Sequence, residues 1–231
     1  MAITDDVQDA AMTGHKYDFT DFFLGSGVID SATTGTGSAS VEIGQWLAST
    51  GITALSSSMS YYMRQIFNPR YGRLLIKARV SDMTSCDMFI GFKSSLSPPS
   101  WGMTESCAGI YINSVQQNGT AYWYVGNGST SAPRFKAVAL KGLDMTDWLI
   151  FDISSKGVRW WAVPEAVPYF DTEAISELEA AKQRRWSELV QAGGELPGDE
   201  LHYVLLYVKN KTGATRYVEV QKLAYKEDYP D

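Results

Sequence analysis

Histidine and cysteine are almost missing from this chain of 231 residues, with two copies of each. That scarcity excludes much chemistry. A nucleophilic triad needs a histidine, and only His15, in a polar N-terminal stretch, and His202, at the start of a strand candidate, are available. His202 reads as a surface or hydrogen-bonded strand residue rather than a base. No Cys/His cluster has zinc spacing and no Asp-x-Asp-x-Asp-Gly loop points to calcium, so no cofactor or metal is expected. Cys86 and Cys107 are too few for a disulfide-stapled domain and read as buried, reduced, small hydrophobes.

Long apolar runs are also lacking. No stretch approaches the roughly 18 apolar residues of a membrane span. The opening residues, MAITDDVQDAAMTGHKYDF, have no positive segment followed by an apolar one, so synthesis and folding in a cytoplasm are expected. Basic residues are outnumbered, 20 Lys and Arg against 26 Asp and Glu, for a net charge of −6. This balance argues against nucleic acid and against an anionic membrane as partners, because both require clustered cations. Gly25 with Gly27, and Gly35 with Gly37, lie in Ser/Thr-rich stretches without the lysine of a phosphate loop and read as turns. Asn118, Asn127 and Asn210 fit the glycosylation sequon and read as turn and loop residues, as do Asp30, Asp82 and Asp144.

What is present is a succession of short runs rich in Val, Ile, Tyr, Phe and Trp, divided by Gly, Ser, Asn and Pro. Strands are expected at 16–23, 39–47, 59–67, 72–81, 86–93, 107–113, 120–126, 134–140, 147–154, 157–163, 201–209 and 215–225. With no alternating helices, this predicts an all-β protein of two stacked antiparallel sheets. One interruption, at about 171–194, carries Ile175, Leu178, Lys182, Trp186 and Leu189 at helical spacing, with Asp171 or Thr172 as cap and Gly193 and Gly194 as stop. The expected layout is an N-terminal arm over 1–15, disordered alone and docking on another protein copy, then one sandwich domain over 16–231 carrying the helical insertion.

Side-chain alternation assigns faces. Leu74, Ile76, Ala78 and Val80 form one apolar set, Ala108, Ile110 and Ile112 a second, and Ala121, Trp123 and Val125 a third. The opposite positions give one shared, more polar face of Lys77, Arg79, Tyr111, Tyr122 and Tyr124, which Arg159 and Trp161 join. Trp101, in the loop PPSWGM, adds another aromatic ring. These eight residues are the candidate glycan- or partner-binding face.

The run YGRLLIKARV at 71–80, with the following strand ending FIGF at 89–92, resembles the central hairpin of concanavalin A-like jelly rolls, the fold of laminarinase-type glycoside hydrolases and laminin-G-like domains. The closing stretch LHYVLLYVKNKTGATRYVEVQKLAYKED is similar to the last strand pair of that fold. The helical insertion is not part of the pattern. The resemblance implies a jelly-roll sandwich and raises the question of sugar cleavage. Laminarinase-type enzymes carry two carboxylates on one strand as Glu-x-Asp-x-x-Glu, and the strand expected there reads Cys107-Ala-Gly-Ile-Tyr-Ile, with Glu105 alone before it. No glycosidase activity is therefore expected. The fold resemblance, the lack of an export signal and the Gly/Ser/Thr-rich surface imply a non-enzymatic virion subunit of a tailed bacteriophage, decorating the capsid or belonging to a surface appendage. Its partners would be capsid proteins or copies of itself. The alternative is a carbohydrate-binding module.

Overall fold

The computed structural model describes residues 19–21, 28–42, 44–113, 120–128, 134–138, 146–154, 157–162 and 197–227. The expected arm at 1–15, the helical insertion at about 171–194 and Asp144 lie outside the described residues. Within them the chain forms β1 (Phe19–Asp21), β2 (Ile29–Thr34), β3 (Ser38–Glu42), β4 (Gln45–Ser49), β5 (Ser57–Tyr62), β6 (Gly72–Val80) and β7 (Cys86–Lys93). Then follow β8 (Cys107–Ile112), β9 (Ala121–Gly126), β10 (Arg134–Ala137), β11 (Leu149–Ser154), β12 (Gly157–Ala162), β13 (Tyr203–Asn210) and β14 (Tyr217–Glu227).

All pairings are antiparallel, in two sheets. The first runs β12-β11-β6-β14-β4-β3, with β1 on the far end of β14, and the second runs β10-β9-β8-β7-β13-β5-β2. Consecutive strands repeatedly change sheet, as in a jelly roll. The inner faces meet in one core holding all three apolar sets expected from alternation, with Trp46, Trp123 and Trp160 as its largest members. Both cysteines are free and buried; they start successive antiparallel strands, so they sit at opposite ends of the β7–β8 ladder.

Two strand expectations are corrected. Residues 39–47 are two strands, because the chain reverses at Gly44, whose φ of 75° a side chain adopts only with strain, and Val41 faces Trp46 across the hairpin. The strand at 29–34, IDSATT, was not expected, since it lacks apolar alternation. Among the described residues it is an edge strand paired only to β5, and it is exposed from Asp30 onward, so its sequence has no core to answer to. Asp30 is accordingly a strand residue rather than a turn residue. Asp82 is a turn residue, its carboxylate accepting from the Thr84 amide at 2.7 Å and the Thr84 hydroxyl at 3.0 Å.

Candidate functional site: an aromatic face beneath a loop

The eight candidate residues do not share one face. Lys77 and Arg79 lie on β6 in the first sheet, whereas Tyr111, Tyr122 and Tyr124 lie on β8 and β9 in the second. Arg159 and Trp161 belong to β12, at register positions opposite Asp152 and Ile150 in the first sheet. Alternation tells inward from outward but not which of two sheets a strand joins; strands with matching outward sets therefore ended on opposite sides of the molecule.

On the second sheet the outward positions form rows that register fixes. Tyr207, Phe89, Tyr111 and Tyr122 succeed one another across β13, β7, β8 and β9. The adjacent row runs Leu205, Gly91, Gly109, Tyr124, Phe135. The two glycines are obligatory: a Cβ at Gly109 would stand 2.5 Å from the Ile90 carbonyl oxygen and 2.7 Å from Phe89 Cζ, because the Phe89 ring lies across it. Removing side chains at one row lets the neighbouring ring lie flat over the sheet.

The loop between β7 and β8 folds over these rings and brings Trp101 onto them. Met103 N–H donates to the Ser100 carbonyl at 3.1 Å, and Gly102, at φ 89°, supplies the positive φ that such a turn needs beside Trp101. Gly102 N–H donates at 2.8 Å to the Tyr124 hydroxyl, which donates at 3.4 Å to the Met103 carbonyl. Trp101 then touches four rings: Tyr111 at 5.7 Å between centroids, Tyr122 at 5.2 Å, Tyr124 at 5.4 Å and Phe135 at 4.4 Å. Tyr124 and Phe135 stack with 12° between planes.

Burial divides the cluster by role. Tyr111, Tyr122 and Tyr124 are 1%, 7% and 0% exposed, so they support the loop, while Phe135 is 48% exposed and Trp101 is half-buried. The face is therefore apolar rather than polar. Burial raises the pKa of the Tyr111 and Tyr124 hydroxyls and pushes Tyr207 up to about 12, keeping all three neutral at ordinary pH.

A polar rim borders the same loop. Lys93, with a fully buried side chain, donates to Ser95 Oγ at 2.6 Å and Ser97 Oγ at 2.7 Å and pairs with Glu105 Oε1 at 3.3 Å; Ser97 Oγ donates to the same oxygen at 2.6 Å. Burial lowers the Lys93 pKa against the opposing pull of Glu105. Burial alone would raise Glu105, but the Ser97 hydroxyl and the Lys93 ammonium outweigh it and hold the carboxyl below its ordinary value. The outward positions of β8 are Cys107, Gly109 and Tyr111, none of them an acid. Glu105 is thus one carboxylate engaged with Lys93 and Ser97, where glycoside hydrolysis normally takes a flanking pair.

His202 is fully buried rather than at the surface. Its Nε2 lies 2.7 Å from Ser106 Oγ and its Nδ1 lies 2.6 Å from the Glu200 carbonyl oxygen. Since the Glu200 carbonyl oxygen can only accept, neutral His202 carries its proton on Nδ1 and donates it there, and Nε2 accepts from the Ser106 hydroxyl, which itself accepts from Gly198 N–H at 2.7 Å. Desolvation lowers the pKa of His202. The pair is sealed from solvent and pins the chain entering β13 to the start of β8.

This arrangement of two seven-stranded sheets has solved counterparts. The exoplasmic/lumenal domain of VIP36 in its Ca2+/Man3GlcNAc-bound form is 11% identical, covering 90% of this chain and 87% of that one, with a TM-score of 0.57. The Bacillus licheniformis β-glucanase is 11% identical over 90% and 97%, TM-score 0.57. The catalytic domain of an endo-1,3-β-glucanase (laminarinase) from Thermotoga petrophila is 12% identical over 93% and 98%, TM-score 0.55. The chain folds as a concanavalin A-like jelly roll. Neither a family model nor a curated protein sequence matches it.

Sequence reasoning missed Phe89, Lys93 and Phe135 as site neighbours. A signal for Phe89 existed, since it alternates outward opposite Tyr111 once β7 and β8 are paired.

Proposed function

We propose that this jelly roll is a non-catalytic carbohydrate-binding module and that its sugar stacks on Trp101 and Phe135. The observation that carries the reading is that pair: two touching rings, one nearly half exposed, held on a buried bed of tyrosines by the loop that also carries the hydroxyl and carboxylate groups of Ser97 and Glu105. A pyranose needs this combination, an apolar plate for its C–H face and hydrogen-bonding groups at the edge. VIP36 with bound Man3GlcNAc and the two glucanases, which share the fold, support a sugar as the ligand class. The outward residues of β8 supply no acid and base pair, which supports recognition over hydrolysis. Isothermal titration of the full chain with mannose and β-1,3-glucan oligosaccharides is the test. Saturable binding that Trp101→Ala abolishes is expected. No binding at millimolar sugar, or turnover of a glucan that Glu105→Gln stops, would overturn the reading.

A second reading, a structural subunit of a virion that assembles with other virion proteins, is favoured by exposed apolar side chains at two places. Ile52 and Leu55 are 74% and 61% exposed on one turn, and Val28 and Met63 are each 49% exposed beside one another at the end of β5. Purified particles containing the chain in fixed copy number would establish this reading, and its absence from particles would remove it.

A further inference from the structure

The exposed plate is assembled from two pieces of chain that lie far apart in the sequence. Trp101 rides on the β7–β8 loop, and Phe135 lies on β10 at the end of the second sheet's strand order. Tyr124 touches both. It stands directly opposite Phe135 in register, its ring stacks on that of Phe135 at 6.4 Å and 12°, and its centroid lies 5.4 Å from that of Trp101. Its hydroxyl holds the loop backbone, accepting from Gly102 N–H at 2.8 Å and donating to the Met103 carbonyl at 3.4 Å. Both bonds go to the two residues that follow Trp101.

The loop backbone is shaped for this attachment. Gly102 has a φ of 89°, and a Cβ there would meet nothing within 4 Å, so the glycine serves the backbone angle rather than a tight fit. The bond from Met103 N–H to the Ser100 carbonyl closes the turn on itself without tying it to the sheet. The Tyr124 hydroxyl supplies that tie.

Packing does not account for the hydroxyl. Tyr124 is 0% exposed in a cluster with Met103, Cys107 and Tyr111, where a phenylalanine would fill the same space with no polar atom to desolvate. Burial raises the pKa of the hydroxyl, so it stays protonated and able to donate.

We infer that the Tyr124 hydroxyl is a positioning group for the sugar site: it sets Trp101 against Phe135, 4.4 Å apart with 56° between planes, before any ligand arrives. The inference rests on the reading that a sugar stacks on those two rings. A plate formed in advance spares the ligand the entropy of ordering the loop. One buried oxygen atom, out of a sugar's reach, thereby controls affinity.

The test is Tyr124→Phe in the full chain, which keeps the ring stack and removes the two hydrogen bonds. Amide hydrogen exchange followed by NMR should show Gly102 N–H protected in the unaltered protein and exchanging about tenfold faster in the variant. The amides of Ile110 and Trp123, in the β8–β9 ladder, should change far less, which a general loss of stability would not allow. Isothermal titration with a β-1,3-glucan oligosaccharide should show affinity falling roughly fivefold, as the ligand now has to order the loop. Gly102→Ala, which strains the same turn through its own backbone and leaves the hydroxyl in place, should weaken binding likewise. A Gly102 amide that exchanges freely in the unaltered protein, or at an equal rate in Tyr124→Phe, would overturn the positioning role. So would unchanged affinity in a variant whose Gly102 exchanges faster. These outcomes leave sugar binding at Trp101 standing. An unaltered protein that binds no sugar would sink the site itself and the positioning role with it, so the two failures are told apart.

Discussion

The two outer faces of this sandwich are built from strands with the same alternation, yet they solve the problem of an outward side chain in opposite ways. Beneath the β7–β8 loop of the second sheet the outward residues are rings, of which Phe135 and part of Trp101 reach solvent. On the first sheet they include charges matched across neighbouring strands, Arg73 with Asp152 and Arg79 with Glu219, among buried apolar positions such as Leu75 and Ile150. The inner faces show no such difference, because each contributes aliphatic and aromatic residues to one dry core. Packing dictates the inward choice, and the outward choice is free to carry chemistry.

The largest expected effect tests the inward side of that division. Trp123 is 1% exposed within the shared core, so Trp123→Ala should cost about 3–5 kcal/mol in urea unfolding. Tyr122, its outward neighbour, packs on Trp101 and Phe135 beneath one loop, and Tyr122→Ala should cost less than half as much. Equal costs would show that the aromatic bed is as integral as the core.

Next in size is the glycine row that lets the rings lie flat. Gly109→Ala puts a methyl against Phe89 Cζ and the Ile90 carbonyl, and should cost about 1–3 kcal/mol by forcing the ring up. If the variant keeps its stability, the Phe89 ring does not depend on that gap. Loss of the circular-dichroism signal from coupled aromatic rings should accompany the destabilisation.

These positions also show what the sequence made legible. Period-two alternation in YGRLLIKARV and CAGIYI placed Leu74, Ile76, Ala108 and Ile110 in the core, because a strand buried on one side must repeat its apolar residues every second position. It could not place β6 and β8 in different sheets, since sheet membership is decided by backbone pairing between strands distant in the chain, such as β6 with β14. The edge strand IDSATT had no alternation to read. The site was legible as residue types, with Trp101, Tyr111, Tyr122 and Tyr124 brought together as a group. Phe135 escaped because its importance comes from exposure, and the alternation that marks a ring as outward does not show whether a loop covers it, as it covers Tyr124 but not Phe135.

A smaller effect distinguishes the buried hydrogen-bond pin from both faces. His202 has its pKa lowered from the ordinary 6.5, with desolvation leading and the Glu200 and Ser106 contacts opposing it. The unfolded chain therefore takes up the proton first as pH falls. The stability held by neutral His202 is fully present above about 6.5 and is lost as pH drops through that value toward the lower folded one. Unfolding free energies measured between about pH 5 and 7, above the ordinary carboxylate range, should decline toward the acid side, and His202→Gln should flatten the decline. An unchanged slope in the variant would assign the effect to other groups.

The smallest expected effect on stability is the most informative about function. Phe135 is 48% exposed and sits on β10, at the edge of the second sheet, so Phe135→Ala removes a ring that the core does not need and should change unfolding free energy by less than about 1 kcal/mol. Its contact with Trp101 at 4.4 Å nevertheless makes it half of the exposed plate. Sugar affinity should therefore fall roughly tenfold, the worth of about 1.4 kcal/mol, while the melt is nearly unmoved. Trp101→Ala cannot separate these outcomes so cleanly, since Trp101 also covers Tyr111, Tyr122 and Tyr124. A Phe135→Ala protein that melts early and binds sugar normally would mean that the plate is packing, and that the two outer faces differ in how they are covered rather than in what they recognise.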